Sequence, residues 1–114
     1  MPSMAAIQMV SGPDVAENLT AAAELLARAA DQGARLAVLP ENFALMGRRE
    51  EEKVAARETE GDGPIQSFLA EQAARHRLWL IGGTIPLRTA GDARRVRAAC
   101  LLFDDHGQRV ARYD

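Results

Sequence analysis

Hydrophobic residues along the first two thirds of the chain follow two alternating patterns. Continuous apolar runs as long as a buried strand alternate with stretches in which apolar residues recur every three or four positions, the spacing of a helix face. The stretches with helical spacing begin at Val15 and at Pro64. The apolar runs are AAIQMV (5–10), LAVL (36–39) and LWLIGG (78–83). This order predicts two βαβ crossovers whose strands run parallel in one sheet.

The predicted helices carry start and stop signals in their own sequence. Asp14 stands just before the first helix and Glu17 follows three residues later, a pairing typical of a helix N-cap. Gly33 supplies a C-terminal stop. Proline suits the first helical position, so the second helix is predicted to begin at Pro64, and we expect it to end near His76.

The last third of the chain changes period. Residues 96–103 and 108–113 read as two strands of an antiparallel hairpin, joined by a turn over 104–107. Gly91 and Asp92 mark the loop that leads into this hairpin. Residues 47–63, GRREEEKVAARETEGDG, are highly charged. They predict a short exposed helix or mobile loop that could form one wall of a pocket. The expected fold class is α/β, a layered domain with a mixed sheet and helices on one face.

Composition excludes several classes of function. The 114 residues suit one domain at most, and the net charge of 14 − 16 = −2 gives no reason to expect nucleic acid or a membrane as partner. One cysteine, Cys100, forms no intramolecular disulfide, and two histidines, His76 and His106, give no reason to predict a metal site or a cofactor. No leader or membrane-spanning run stands out, so a cytoplasmic location is expected.

One acidic residue lies where the functional sites of α/β sheets are usually found. Glu41 follows the second predicted strand, and sites in open α/β sheets lie beyond the carboxyl ends of parallel strands. Pro40 fixes the strand end, and the apolar neighbours Leu39, Phe43 and Leu45 predict partial desolvation of the carboxylate. Desolvation raises a carboxyl pKa towards the range of a general base. A plain alternative is that Glu41 caps the following turn or pairs with an arginine.

Four segments resemble, in order, the N-terminal part of a carbon–nitrogen hydrolase of the nitrilase superfamily. They are AAIQMVSGPDVAENL, LAVLPENF, GPIQSFLAEQAARHRLWLIGGTIP and LLFDDHGQRVARYD, and LPENF is the most specific. The resemblance implies that residues 1–114 are the N-terminal portion of an α-β-β-α sandwich domain, and that the full-length form is a homodimer. The amino-acid sequence of these segments is most similar to that of bacterial Nit-type amidases. Those act on ω-amides of dicarboxylic acids or on deaminated glutathione.

The same resemblance implies a Glu–Lys–Cys mechanism on a small amide substrate, with Glu41 matching the general base. The family's lysine would follow directly after Asp114, and the nucleophilic cysteine further on. Cys100 lies in an unlike context and is interpreted as a small core residue. We therefore expect residues 1–114 alone to be inactive and to expose apolar surface. The alternative hypothesis is a non-catalytic, truncated interaction module.

Overall fold

A computed structural model of the chain describes residues 3–47, 49–89 and 91–114. It contains six strands and three helices within those ranges. In chain order they are β1 (Ser3–Ala6), α1 (Val15–Asp31), β2 (Ala34–Val38), α2 (Glu50–Ala56), α3 (Pro64–His76), β3 (Trp79–Ile81), β4 (Ile85–Thr89), β5 (Asp92–Phe103) and β6 (Arg109–Tyr113).

The sheet is mixed, as predicted. β1, β2 and β3 run parallel, so both predicted crossovers are present. The long strand β5 is antiparallel to β3, β4 and β6, which gives the order β1-β2-β3-β5-β4 with β6 paired to β5. The predicted 104–107 hairpin turn is therefore confirmed.

The helix boundaries agree with their local signals. The Asp14 carboxylate accepts the Glu17 N–H at 3.1 Å, which confirms the predicted N-cap. Pro64 occupies the first turn of α3, and that helix ends at His76. Helix α2 lies inside the charged segment 47–63 and has no buried residue, as expected of an exposed helix.

Two predictions about strands were wrong. The sequence predicts the first strand at 5–10, but β1 ends at Ala6, and the Ile7 N–H then donates to the Val38 carbonyl at 2.9 Å. The next bond of a parallel ladder would require an N–H at residue 40, which proline lacks. Strand β4 was missed because Pro86 lies in its middle. Its partner β5 begins at Asp92, which the sequence predicts to lie in a loop.

The two faces of the sheet differ in burial. Ala37 and Leu80 are paired neighbours in the sheet and are 0% exposed, because α1 and α3 pack on this face. The opposite face carries Met4 and Trp79, which are 76% and 43% exposed, and Tyr113. The expected exposed apolar surface is therefore confirmed. None of the helices in the described ranges is long and apolar enough to cross a membrane.

Candidate functional site

Glu41 lies in the turn that follows β2, at the carboxyl edge of the parallel strands. Backbone hydrogen bonds from Phe43 N to Pro40 O and from Leu45 N to Asn42 O, both 3.2 Å, close successive turns of this segment. The segment that follows β3, Gly83 and Thr84, packs against it. The position of Glu41 relative to the sheet is therefore the one that the sequence predicted.

Side chains from three distant segments hold the turn. The Asn42 N–H donates to the Thr84 hydroxyl oxygen at 2.9 Å. The Ser11 hydroxyl donates to the Phe43 carbonyl at 2.6 Å, and the Asn18 side-chain amide donates to the Ala44 carbonyl at 2.8 Å. Three consecutive residues after Glu41 are thus each bonded to a side chain elsewhere in the fold. Such bonds satisfy backbone groups that a turn leaves unpaired, and they fix its conformation.

Gly83 contacts the strand end directly. Its φ of +63° lies in the left-handed region, and a Cβ added there would lie 2.8 Å from the Pro40 carbonyl carbon and 2.9 Å from the Leu39 carbonyl oxygen. The Pro40 carbonyl oxygen would be closer still. Only glycine allows the two backbones to approach this closely. The close contact explains why a glycine follows β3 here.

Glu41 itself is an exposed residue. Its apolar neighbours Leu39, Phe43 and Leu45 are 1%, 0% and 3% exposed, because their side chains enter the core beneath the turn and do not cover the acid. The expectation of partial desolvation was therefore wrong for this part of the fold. Within the described residues the Glu41 side chain makes no hydrogen bond or ion pair. The alternative of a structural arginine partner thus finds no support there.

A cavity of about 160 Å³ lies beside the turn. Asn42 borders it, and helix α2 contributes Glu50 and Lys53, which confirms the expected wall from the charged segment. The remaining lining is apolar and comprises Leu45, Ile85, Pro86, Val96 and Ala98. Lys53 is the one lysine among the 14 Lys and Arg residues of the sequence, a feature that could have marked it as a candidate site residue.

A family model described as "Carbon-nitrogen hydrolase" matches residues 3–114. The chain belongs to the carbon–nitrogen hydrolase family. Among its relatives, it is 39% identical over 109 residues to the deaminated glutathione amidase of Synechocystis sp. (strain PCC 6803 / GT-S) and 31% identical over 112 residues to that of Yersinia enterocolitica. These matches cover 96% and 98% of this carbon–nitrogen hydrolase chain. They cover 39% and 38% of the relatives, so the chain spans about two fifths of their length.

Solved structures show the same fold. The NitFhit protein of C. elegans matches with a TM-score of 0.84 and 27% identity, covering 99% of this chain and 28% of its own. An amidase of the nitrilase superfamily from Nesterenkonia AN1 matches with a TM-score of 0.79 and 27% identity, over 96% of this chain and 41% of its own. A glutamate-to-glutamine mutant of that amidase carries acrylamide added to its active-site cysteine. The carbon–nitrogen hydrolase fold of the chain is therefore that of Nit-type amidases.

The single cysteine of this carbon–nitrogen hydrolase chain lies away from the cavity lining. Cys100 is in the middle of β5 and pairs with Tyr113 on the sheet face opposite the helices. It is half-buried and lies outside the core cluster, so the interpretation as a core residue was wrong. Burial raises the pKa of its thiol. An activated nucleophile has a lowered pKa, so the environment of Cys100 is that of an unreactive thiol.

Proposed function

We propose that this chain supplies the general base of a small-molecule amidase, and that Glu41 is that base. The observation that carries the proposal is the position of Glu41: first in a turn fixed by Thr84, Ser11 and Asn18, at the carboxyl edge of the parallel strands. A base that stands on a fixed backbone needs less reorganisation before proton transfer. The exposed carboxylate is open to a substrate and to a thiol.

The proposed chemistry is covalent and uses a cysteine and a lysine from outside residues 1–114. The carboxylate of Glu41 accepts the thiol proton while sulfur bonds to the amide carbon, and the lysine stabilises the resulting oxyanion. The C–N bond then breaks, and ammonia leaves with the proton from Glu41. Water attacks the thioester, Glu41 takes its proton and returns it to sulfur, and the acid is released.

The proposed substrate is a small amide, of the class formed by ω-amides of dicarboxylic acids and deaminated glutathione. Two sets of relatives support this choice. Deaminated glutathione amidases are 31–39% identical to the chain, and a chloroplastic omega-amidase of Arabidopsis thaliana is 31% identical over 103 residues, covering 88% of this chain and 27% of its own. Assembly of the full-length form as a homodimer stays a prediction.

Ammonia release from succinamate, glutaramate and deaminated glutathione tests the proposal, with the protein expressed from its complete reading frame. Replacing the base, Glu41→Gln, should lower kcat about 100- to 10,000-fold, the usual contribution of a general base. The exposed glutamate of α3 gives a matched control, Glu71→Gln, which should leave kcat unchanged. Cys100→Ala should also retain full turnover. An unaltered protein without amidase activity, or an active Glu41→Gln variant, would contradict the proposed role.

A further inference from the structure

The residues that follow β3 contact both peptide groups that flank Glu41. The Pro40 carbonyl belongs to the peptide on the N-terminal side of Glu41, and Gly83 packs directly against it. The Asn42 N–H belongs to the peptide on the C-terminal side, and it donates to the Thr84 hydroxyl oxygen at 2.9 Å. Two consecutive residues therefore hold the backbone on either side of one carboxylate.

The bond to Thr84 matters because the backbone beyond Glu41 adopts an uncommon conformation. Asn42 has φ of +56°, in the left-handed region that costs a residue other than glycine about 1 kcal/mol or more. Asparagine tolerates this region better than most residues. The hydroxyl supplies an acceptor for an N–H that the turn leaves without a backbone partner among the described residues. The Thr84 oxygen also lies 3.5 Å from the Asn42 side-chain oxygen.

We propose that Thr84 is a positioning residue for the proton transfer, acting through the Glu41–Asn42 peptide. Its hydroxyl fixes the orientation of this peptide, and the peptide sets the direction in which the Glu41 side chain leaves the backbone. Thr84, which lies 42 residues beyond Asn42 along the chain, thereby aligns the carboxylate with the position of the attacking thiol. This inference rests on the proposed role of Glu41 as general base.

The choice of threonine fits this role. A hydroxyl is the smallest side-chain acceptor that reaches a neighbouring backbone N–H, and the Cβ methyl group of threonine limits χ1 to few rotamers. The acceptor therefore stays in place before substrate binds. Valine has nearly the same shape but no acceptor, so Thr84→Val removes the hydrogen bond and leaves the packing almost unchanged. Serine keeps the acceptor, so Thr84→Ser serves as the conservative variant.

Steady-state kinetics of the protein from its complete reading frame test the proposal, with glutaramate as substrate. Thr84→Val should lower kcat about 10- to 100-fold, since a displacement of about 1 Å in a catalytic group costs on that order. KM should change less than twofold, and Thr84→Ser should restore most of kcat. The matched control is Thr20→Val on α1, where the exposed hydroxyl donates to the Ala16 carbonyl of the same helix and not to the turn. It should leave kcat unchanged.

A urea titration of each variant separates positioning from loss of folded protein. Kinetics are measured where the titration shows more than nine tenths of every variant folded, so a merely structural effect would leave kcat at the level of the Thr20→Val control. A Thr84→Val enzyme with unchanged kcat, or a Thr84→Ser enzyme as slow as Thr84→Val, would overturn the role of Thr84 while the base assignment stands. An unaltered protein without turnover would overturn both.

Discussion

The contact between Gly83 and the end of β2 predicts an unusually costly glycine substitution. In Gly83→Ala the new methyl group would meet the Pro40 carbonyl group and lie 2.9 Å from the Leu39 carbonyl oxygen. These atoms cannot withdraw easily. Leu39 is 1% exposed, and its N–H donates to the Ile81 carbonyl at 2.9 Å. The clash must therefore be relieved by moving the strand end or the Gly83 backbone.

Two contributions set the expected loss of stability. An alanine in the left-handed region costs about 1–2 kcal/mol, and forcing a methyl group into packed surroundings costs about 1–3 kcal/mol. Gly83→Ala should therefore lower the free energy of unfolding by about 2–5 kcal/mol. Gly33 provides the matched control, because its φ is +88° and nothing lies within 4 Å of an added Cβ. Gly33→Ala carries the backbone cost alone, about 1–2 kcal/mol.

Urea titrations of the two variants, followed by circular dichroism, measure the difference on the protein from its complete reading frame. We expect Gly83→Ala to be less stable than Gly33→Ala by about 2 kcal/mol, roughly a 30-fold change in the unfolding equilibrium constant. Equal midpoints for the two variants would refute the inference that this close contact constrains residue 83. Such a result would also weaken the case for a rigid turn at Glu41.

Glu58, Asp104 and Lys53 each give a further prediction. Glu58 is 5% exposed and accepts the N–H groups of Ile65 and Gln66 at the start of α3. Glu58→Ala should therefore lower the free energy of unfolding, measured by urea titration, by about 2–5 kcal/mol. The control Glu71→Ala, at an exposed position, should lower it by about 0.5 kcal/mol or less. A hydrogen bond from the Gln108 N–H, with a second from the His106 N–H, lowers the pKa of Asp104. The ionised form is therefore the stabilising one: its contribution is complete above the unfolded pKa of about 3.9 and is lost as the pH falls through the lowered value. As the pH is lowered from 6 to 2, the melting temperature should thus fall less steeply for Asp104→Asn than for the unaltered protein. Parallel curves of melting temperature against pH would contradict this. Lys53 lines the cavity beside the turn, so Lys53→Gln should raise KM for succinamate, which carries a carboxylate, about fivefold. KM for butyramide, which has no carboxylate, should stay unchanged. Equal effects on both amides would exclude a contact between Lys53 and the substrate carboxylate.

Local chemistry made much of the fold predictable. The Asp14 cap and Pro64 depend on neighbours within a few residues, so the sequence was sufficient to place the starts of α1 and α3. Strands joined through a helix by short links form a βαβ unit, and this order implied that the first strands pair in parallel. The same reasoning located Glu41 at the carboxyl edge of the sheet, and resemblance to a family supplied its proposed role.

Contacts between distant segments were not predictable in this way. The cap of α3 comes from Glu58, before the turn that precedes the helix, and no periodicity indicates such a bond. Strand β4 was not predicted because Pro86 lies within it and proline has a low strand propensity. In the structure this residue nevertheless pairs with Ala98. Thr84 and Asn18 have ordinary surroundings in the sequence, and their bonds to the Glu41 turn cross 42 and 26 residues.

The sequence by itself determined where α1 and α3 begin and end, which runs form β2 and β3, and where Glu41 lies along the chain. Only the tertiary structure decided how that acid is held and how much water reaches it. The physical reason is one of range. Capping and hydrophobic period act within a few residues, whereas the exposure of Glu41 and the acceptor for its neighbour's N–H depend on which distant segments the fold brings to the turn.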